Sequence, residues 1–189
     1  MNYLVNASSF LVEALVGLVL YAVLLRFWMQ WVRADFRNPV GHFLITTTNP
    51  VVIPLRKVLP SIGLIDTATV VLALAVAAVK TILLASILGA MPSIVTLLVY
   101  SAVEVLRSSI YLFFAAIIVS IIASWINPYS AHPLVTIARA IAEPLMAPFR
   151  RLIPPIAGLD ISPIFVFLVL QLALLFLNQN CPIWYRCFS

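Results

Sequence analysis

Apolar positions run along this chain in long blocks, separated by short polar or proline-bearing stretches. The blocks are roughly Phe10 to Val32, Thr67 to Leu88, Ile94 to Ile126 and Ser162 to Leu177. About 20 apolar residues in a helix cross a hydrocarbon core of ~30 Å. The first two blocks have that length, and the fourth is somewhat short. The third would extend about 50 Å as one helix, too long for a simple span. Glu104, Arg107, Ser108 and Ser109 divide it. The expectation is a span over Ile110 to Trp125, with Ile94 to Leu106 either projecting from it or lying at the interface. The pattern predicts an all-α membrane protein of about four transmembrane helices. The first block ends in Phe27-Trp28-Met29-Gln30-Trp31, and aromatics at a span's end mark the headgroup level. Arg26 lies close enough to that end to snorkel outward.

The stretches between the blocks repeat. Pro50, Pro54, Arg56, Pro60, Ile62 and Asp66 recur as Pro144, Pro148, Arg150, Pro154, Ile156 and Asp160, each 94 positions on, and Lys57 meets Arg151. The same offset carries Trp31 onto Trp125 and Pro39 onto Pro133. Such self-similarity marks an internal duplication. Repeat 1 covers about 8–90 and repeat 2 about 94–180 of a single membrane domain, with a polar, cysteine-containing tail at 178–189. Each repeat holds two spans, so the copies share one orientation and form a parallel pair. Asn38-Pro39 has the form of a helix start, predicting a short interfacial helix over Val40 to Asn49. Pro50, Pro54 and Pro60 should then forbid a continuous helix. In the second copy, Leu134, Ile137, Ala138 and Ile141 have the spacing of one helical face, and Arg139 can reach Glu143 one turn on. Asp66 is placed to cap the second span, where a negative charge is favoured.

Composition agrees with a membrane protein. Hydrophobic residues make up 64% of the chain and charged residues 9%, against about 25% charged in soluble domains. The net charge is +5. No basic run is interleaved with stacking aromatics, so nucleic acid is not expected as a partner. Arg33, Arg37, Arg56, Lys57, Arg139, Arg150 and Arg151 all fall in the two motif loops. The positive-inside rule places those loops in the cytoplasm and both termini outside. The N-terminal residues lack the positive start of a cleavable signal. That favours direct insertion into a bacterial inner membrane. Cys181 and Cys187 would then lie in the periplasm, where a small loop disulfide is permitted.

Catalytic signals are nearly absent. His42 and His132 stand in no metal-ligand spacing, there is no glycine-rich phosphate loop, and no serine sits in a nucleophile elbow. The expectation is a non-enzyme without cofactor. The charges inside the spans are more informative. Glu13, Arg26, Lys80, Glu104 and Arg107 are intramembrane candidates. Glu13 and Arg107 occupy equivalent positions, so they could pair across the repeat axis or each snorkel separately. Lys80 lies deep, with Glu13 or Glu104 as partners or an outward path of its own. The prolines and Asp66 and Asp160 read as structural, the aspartates pairing with the arginines ten residues before them. Arg56, Lys57, Arg150 and Arg151 read as contacts to anionic lipid or a partner protein.

These motifs resemble the YggT (YlmG) family of bacterial and plastid membrane proteins, most of all its proteobacterial members. The resemblance rests on Leu25 to Trp31, Asn38-Pro39, Pro50 to Asp66, Ser124-Trp125, Pro133 and Pro144 to Pro163, and covers nearly the whole chain except the tail. It implies a small inner-membrane protein built from a duplicated unit. Relatives are associated with osmotic tolerance and ion uptake, with cell division, and with cofactor assembly or nucleoid distribution in plastids. Two functions follow as expectations. One is a scaffold or assembly factor whose basic loops touch a partner or anionic lipid. The other is a transport-related role in osmotic and potassium balance, through a homo-oligomer. Burial of Lys80 separates them: a polar interior favours transport, a neighbouring acid favours a scaffold.

Overall fold

A computed structural model describes residues 2–63, 65–89, 91–152 and 160–179. Six helices account for nearly all of them: α1 (Asn2–Trp31), α2 (Pro39–Val58), α3 (Thr67–Ile87), α4 (Ile94–Ile126), α5 (Pro133–Leu152) and α6 (Ser162–Gln179). Among the described residues the only bridge outside helices joins Ile62 and Ile65. It closes a turn in which Gly63 has φ +60°, a conformation open to glycine at little cost.

Three helices are long and apolar enough to cross a membrane: Tyr3–Trp31, Thr67–Ile87 and Ile94–Ile126. Only 28%, 33% and 28% of their most apolar windows are buried in the chain itself. The remaining apolar surface has no protein cover, and in water it would be an aggregation surface far beyond ordinary patches. A bilayer solvates it. The fourth apolar helix, α6, is shorter, and at 18 residues it extends about 27 Å.

The inward faces build two adjoining cores. Leu20, Val23 and Leu24 of α1 meet Ala73 and Ala77 of α3, with Leu44 of α2 and Ile137 and Ile141 of α5 closing one side. The alanines let the α1 and α3 backbones approach closely, as small residues do between membrane helices. Ile110 and Ile117 of α4 meet Ala142 and Met146 of α5 and Val166, Leu170 and Leu174 of α6.

Two expectations from the sequence are corrected here. The inner prolines do not break their helices: α2 runs through Pro50 and Pro54, and α5 through Pro144 and Pro148. In each helix the two prolines stand four apart and so share one side. That side is exposed, whereas Leu44, Thr48 and Val52 on α2 and Ile141, Ala142 and Met146 on α5 point inward. Each proline withholds one N–H from the carbonyl four residues earlier. Those carbonyls belong to Thr46 and Pro50 in α2, and to Ala140 and Pro144 in α5. The buried face keeps its ladder, so the helix survives. Pro60 does act as a stop, because Leu59 before it is extended (φ −117°, ψ 90°) as a pre-proline residue prefers. At the other end Asn38 caps α2 by accepting from Gly41 N–H at 2.8 Å, with Pro39 following it.

Second, α4 is one unbroken helix of 33 residues. Its segment 94–106 continues the helix. Glu104, Arg107, Ser108 and Ser109 do not divide it, because all four turn inward and are buried.

Candidate functional site

Each proline-arginine motif folds into a clamp. Arg56, in the last turn of α2, reaches the carboxylate of Asp66, immediately before α3. Its Nη2 lies 2.5 Å from Oδ2 and its Nε 3.3 Å from Oδ1. The same Nη2 donates to Gln30 Oε1 at 3.3 Å. One guanidinium therefore ties the end of α2 to the end of α1 and the start of α3, using the planar fork that suits a carboxylate. Thr67 Oγ1 closes the turn by donating to the Pro60 carbonyl at 2.8 Å.

Asp66 is fully buried. It occupies the N-cap position of α3, yet its side chain takes no capping backbone bond, contrary to the expected role. Its oxygens are committed to Arg56 and to the Thr69 hydroxyl. Burial pushes the Asp66 carboxyl up. The hydrogen bonds from Arg56 and Thr69, with the charges of Arg56 and Arg26, outweigh burial and hold it below the usual carboxylate value.

The second clamp is looser. Arg150 Nε donates to Asp160 Oδ2 at 2.7 Å, and Nη1 to Glu143 Oε2 at 2.8 Å. Asp160 does accept a backbone N–H at the start of α6, from Ser162 at 2.9 Å. Burial raises the Asp160 carboxyl, but the Ser162 and Arg150 hydrogen bonds bring it below its ordinary value. Glu143 is taken by Arg150, so the expected Arg139–Glu143 pair does not form. Arg139 donates instead to the Asn127 and Ser130 carbonyls, both at 3.5 Å. Pro154 and the possible Cys181–Cys187 bond lie outside the described residues.

The four basic residues of the motifs are thus not equivalent. All four are exposed. Arg56 and Arg150 are engaged within the protein. Lys57 and Arg151 make no ion pair among the described residues, and each directly follows its clamp arginine.

Four of the five intramembrane charges assemble in one place. Lys80 Nζ lies 2.6 Å from Glu104 Oε1 and 3.7 Å from Glu13 Oε1. Arg107 Nη2 lies 3.3 Å from Glu104 Oε2. The ion pairs run Glu13–Lys80–Glu104–Arg107 and join α1, α3 and α4. Formal charge sums to zero, and the mutual attraction offsets part of the cost of burying the ions. Lys80 contacts both of its alternatives and does not take an outward path. Glu13 and Arg107, considered as a direct pair, are instead linked through Lys80 and Glu104. Arg26 is also corrected: it is 4% exposed and donates to the Thr48 hydroxyl of α2, so it points inward. The Thr48 hydroxyl in turn donates to the Leu44 carbonyl.

Gln30, Thr48 and Thr69 were missed as partners. Thr69 had a signal, since it stands one turn after Asp66. Gln30 had none: the residue 94 positions on is Ser124, which serves no comparable role. His42 and His132 are exposed, and no metal-ligand cluster occurs among the described residues.

Comparison with known proteins agrees with the duplicated motif. The sequence model of the CCB3/YggT family matches residues 5–87 and 99–180. An uncharacterized protein of Pseudomonas aeruginosa is 41% identical over 169 residues, covering 88% of this chain and 86% of the relative. One from Vibrio alginolyticus, described by its position 3′ of proC, is 35% identical over 184 residues, 96% of this chain and 99% of the relative. The uncharacterized protein YggT of Escherichia coli K12 is 33% identical over 165 residues, 87% of this chain and 86% of the relative. No solved structure matches. Matched along most of its length by the family model and by these relatives, the chain belongs to the CCB3/YggT family.

Proposed function

We propose that the protein is a non-enzymatic scaffold or assembly factor of the bacterial inner membrane. In this reading α1, α3, α4 and α6 cross the bilayer as two parallel repeats. The clamp loops lie in the cytoplasm and both termini outside. Helices α2 and α5 lie at the cytoplasmic interface, and their ends present Lys57 and Arg151 to an anionic lipid surface or a partner protein. The observation that carries this is the division of labour in the motif. In each copy one cation is locked to an aspartate and the next is exposed, with no ion pair among the described residues. Each free cation contributes about 1 kcal/mol beside an anionic surface.

The charge cluster supports a transport-related reading, in osmotic and potassium balance, less well. Lys80 is 6% exposed and saturated by neighbouring acids, which suits a fixed joint between helices. Loss of osmotic tolerance in Lys80→Leu, with Lys57→Gln/Arg151→Gln unaffected, would favour transport.

The test is affinity co-purification in mild detergent, comparing the native protein with Lys57→Gln/Arg151→Gln. A partner lost only from the variant supports docking through these residues. A partner retained by both, or none with either, refutes docking of a protein through these residues.

A further inference from the structure

Between α1, α2, α4 and α5 lies an apolar cleft of about 630 Å³. On α4 its wall includes Tyr111, Ala115 and Val119, and on α5 it includes Leu134, Ile137 and Ala138. Val119 also lines a second cavity of about 420 Å³, which continues along α4 through Ile122, Ala123 and Ile126. The two meet at Val119, and together their α4 walls cover Tyr111 to Ile126, about 22 Å of helix. A single leaflet offers about half of the ~30 Å core, so the groove is long enough for one lipid chain.

The ends of the groove differ. The deep end is apolar. The end at the α4–α5 linker is lined by Asn127, Ser130 and His132. Arg139 holds the carbonyls of the first two at a loose 3.5 Å. It has no carboxylate partner among the described residues, and most of its five N–H donors remain uncommitted. Bonded to two residues of the groove's polar end, this half-buried guanidinium stands beside that end and has the charge and shape for a phosphodiester headgroup.

At the corresponding place in the first copy the linker packs tightly on its helix. A Cβ on Gly41 would stand 2.6 Å from the Phe36 carbonyl oxygen, because the α1–α2 linker lies directly on α2. The equivalent positions in the second copy are Val135 and Ser130. Val135 excludes that close approach, and both residues line the cavity.

We infer that the groove is a binding site for one anionic phospholipid from the leaflet on the clamp-loop side, its phosphate on Arg139 and one acyl chain along α4. This site is separate from Lys57 and Arg151 and does not depend on their role.

The test is native mass spectrometry of the delipidated full-length protein titrated with dioleoylphosphatidylglycerol. Arg139→Gln removes the phosphate contact, and Ala115→Phe fills the cleft. Ala115 is exposed, so the larger ring projects into the groove and not the core. Val119→Phe, also at an exposed position, serves as a second filler, and helical circular dichroism checks folding. The expected result is one high-affinity lipid, weakened at least tenfold by Arg139→Gln and by either filler. Arg139→Lys should recover part of the loss, and Lys57→Gln/Arg151→Gln should retain affinity within twofold. Inorganic phosphate should not compete. Unchanged binding in the fillers would overturn the inference, as would equal competition by phosphate. A dimer that dissociates on Ala115→Phe would overturn it in favour of a second copy in the cleft.

Discussion

Replacing Lys80 by methionine keeps its length and removes the charge that holds Glu13 and Glu104 together. At 2.6 Å, the gross attraction between Lys80 and Glu104 is about 6 kcal/mol for an effective dielectric constant of about 20. Much of that only offsets the desolvation of the two ions. The net cost of removing one member of a buried pair is about 3–5 kcal/mol, because its partner is left uncompensated. Here Glu104 retains Arg107 at 3.3 Å, which puts the expectation near 3 kcal/mol. Glu13 is 35% exposed and can turn toward the interface, so Glu13→Gln alone should cost under about 1 kcal/mol. The combination is the sharper test. Lys80→Met leaves a net charge of −1 in the cluster, and adding Glu13→Gln restores neutrality around the surviving Glu104–Arg107 pair. The double variant should therefore be no less stable than Lys80→Met, a clear departure from additivity. Unfolding in mixed detergent micelles, followed by circular dichroism, provides the comparison. A Lys80→Met cost below about 1 kcal/mol, or strict additivity with Glu13→Gln, would refute the neutral-cluster argument.

The two clamps give an unequal pair of predictions. Asp66→Asn should cost about 2–4 kcal/mol, since Asp66 is fully buried and a charged hydrogen-bonding group is lost. Asp160→Asn, with a 38% exposed side chain, should cost under about 1 kcal/mol, as the same unfolding assay can show. The folded Asp66 carboxyl lies below its unfolded value, so its contribution is present above about pH 4 and lost as pH falls through the folded value. The gap between native and Asp66→Asn midpoints should accordingly close below about pH 4 and stay constant above pH 5. Gly41→Ala should destabilise by about 1–3 kcal/mol, because its Cβ would meet Phe36 backbone atoms at 2.6 to 2.9 Å. A neutral outcome in thermal denaturation would mean that the linker can shift.

The gross architecture was legible because the bilayer imposes length and hydrophobicity on each helix separately. The starts at Pro39, Thr67, Pro133 and Ser162 follow from proline, aspartate and apolar-run boundaries. The clamps were legible too, because Arg56 with Asp66 and Arg150 with Asp160 recur at one spacing. What was not legible depended on which side of a helix a residue faces. Pro50 and Pro54 read as breakers, but on an exposed side they leave the buried ladder intact. Arg26 lay close enough to an interface to snorkel, yet Thr48 from another helix offered a partner inside. Glu104 was already a candidate partner for Lys80, but Glu104 and Arg107 still looked like a division of α4, because nothing local shows that both turn inward and pair with each other. The groove at Val135 was hidden for a related reason, since Val135 stands where the first copy has Gly41.

The most direct test of the account is the sidedness of the two free cations. Lys57→Cys and Arg151→Cys would be introduced separately in a Cys181→Ser/Cys187→Ser background. A membrane-impermeant maleimide would then be applied to spheroplasts and to inverted vesicles. A parallel Cys181→Ser sample, which keeps Cys187 as its one thiol, reports Cys187. The account predicts labelling at positions 57 and 151 only in inverted vesicles, and at Cys187 only in spheroplasts. Labelling of 57 and 151 from opposite sides, or of either from outside, would contradict a shared cytoplasmic docking face. Labelling of Cys187 in inverted vesicles alone would show that α6 does not cross.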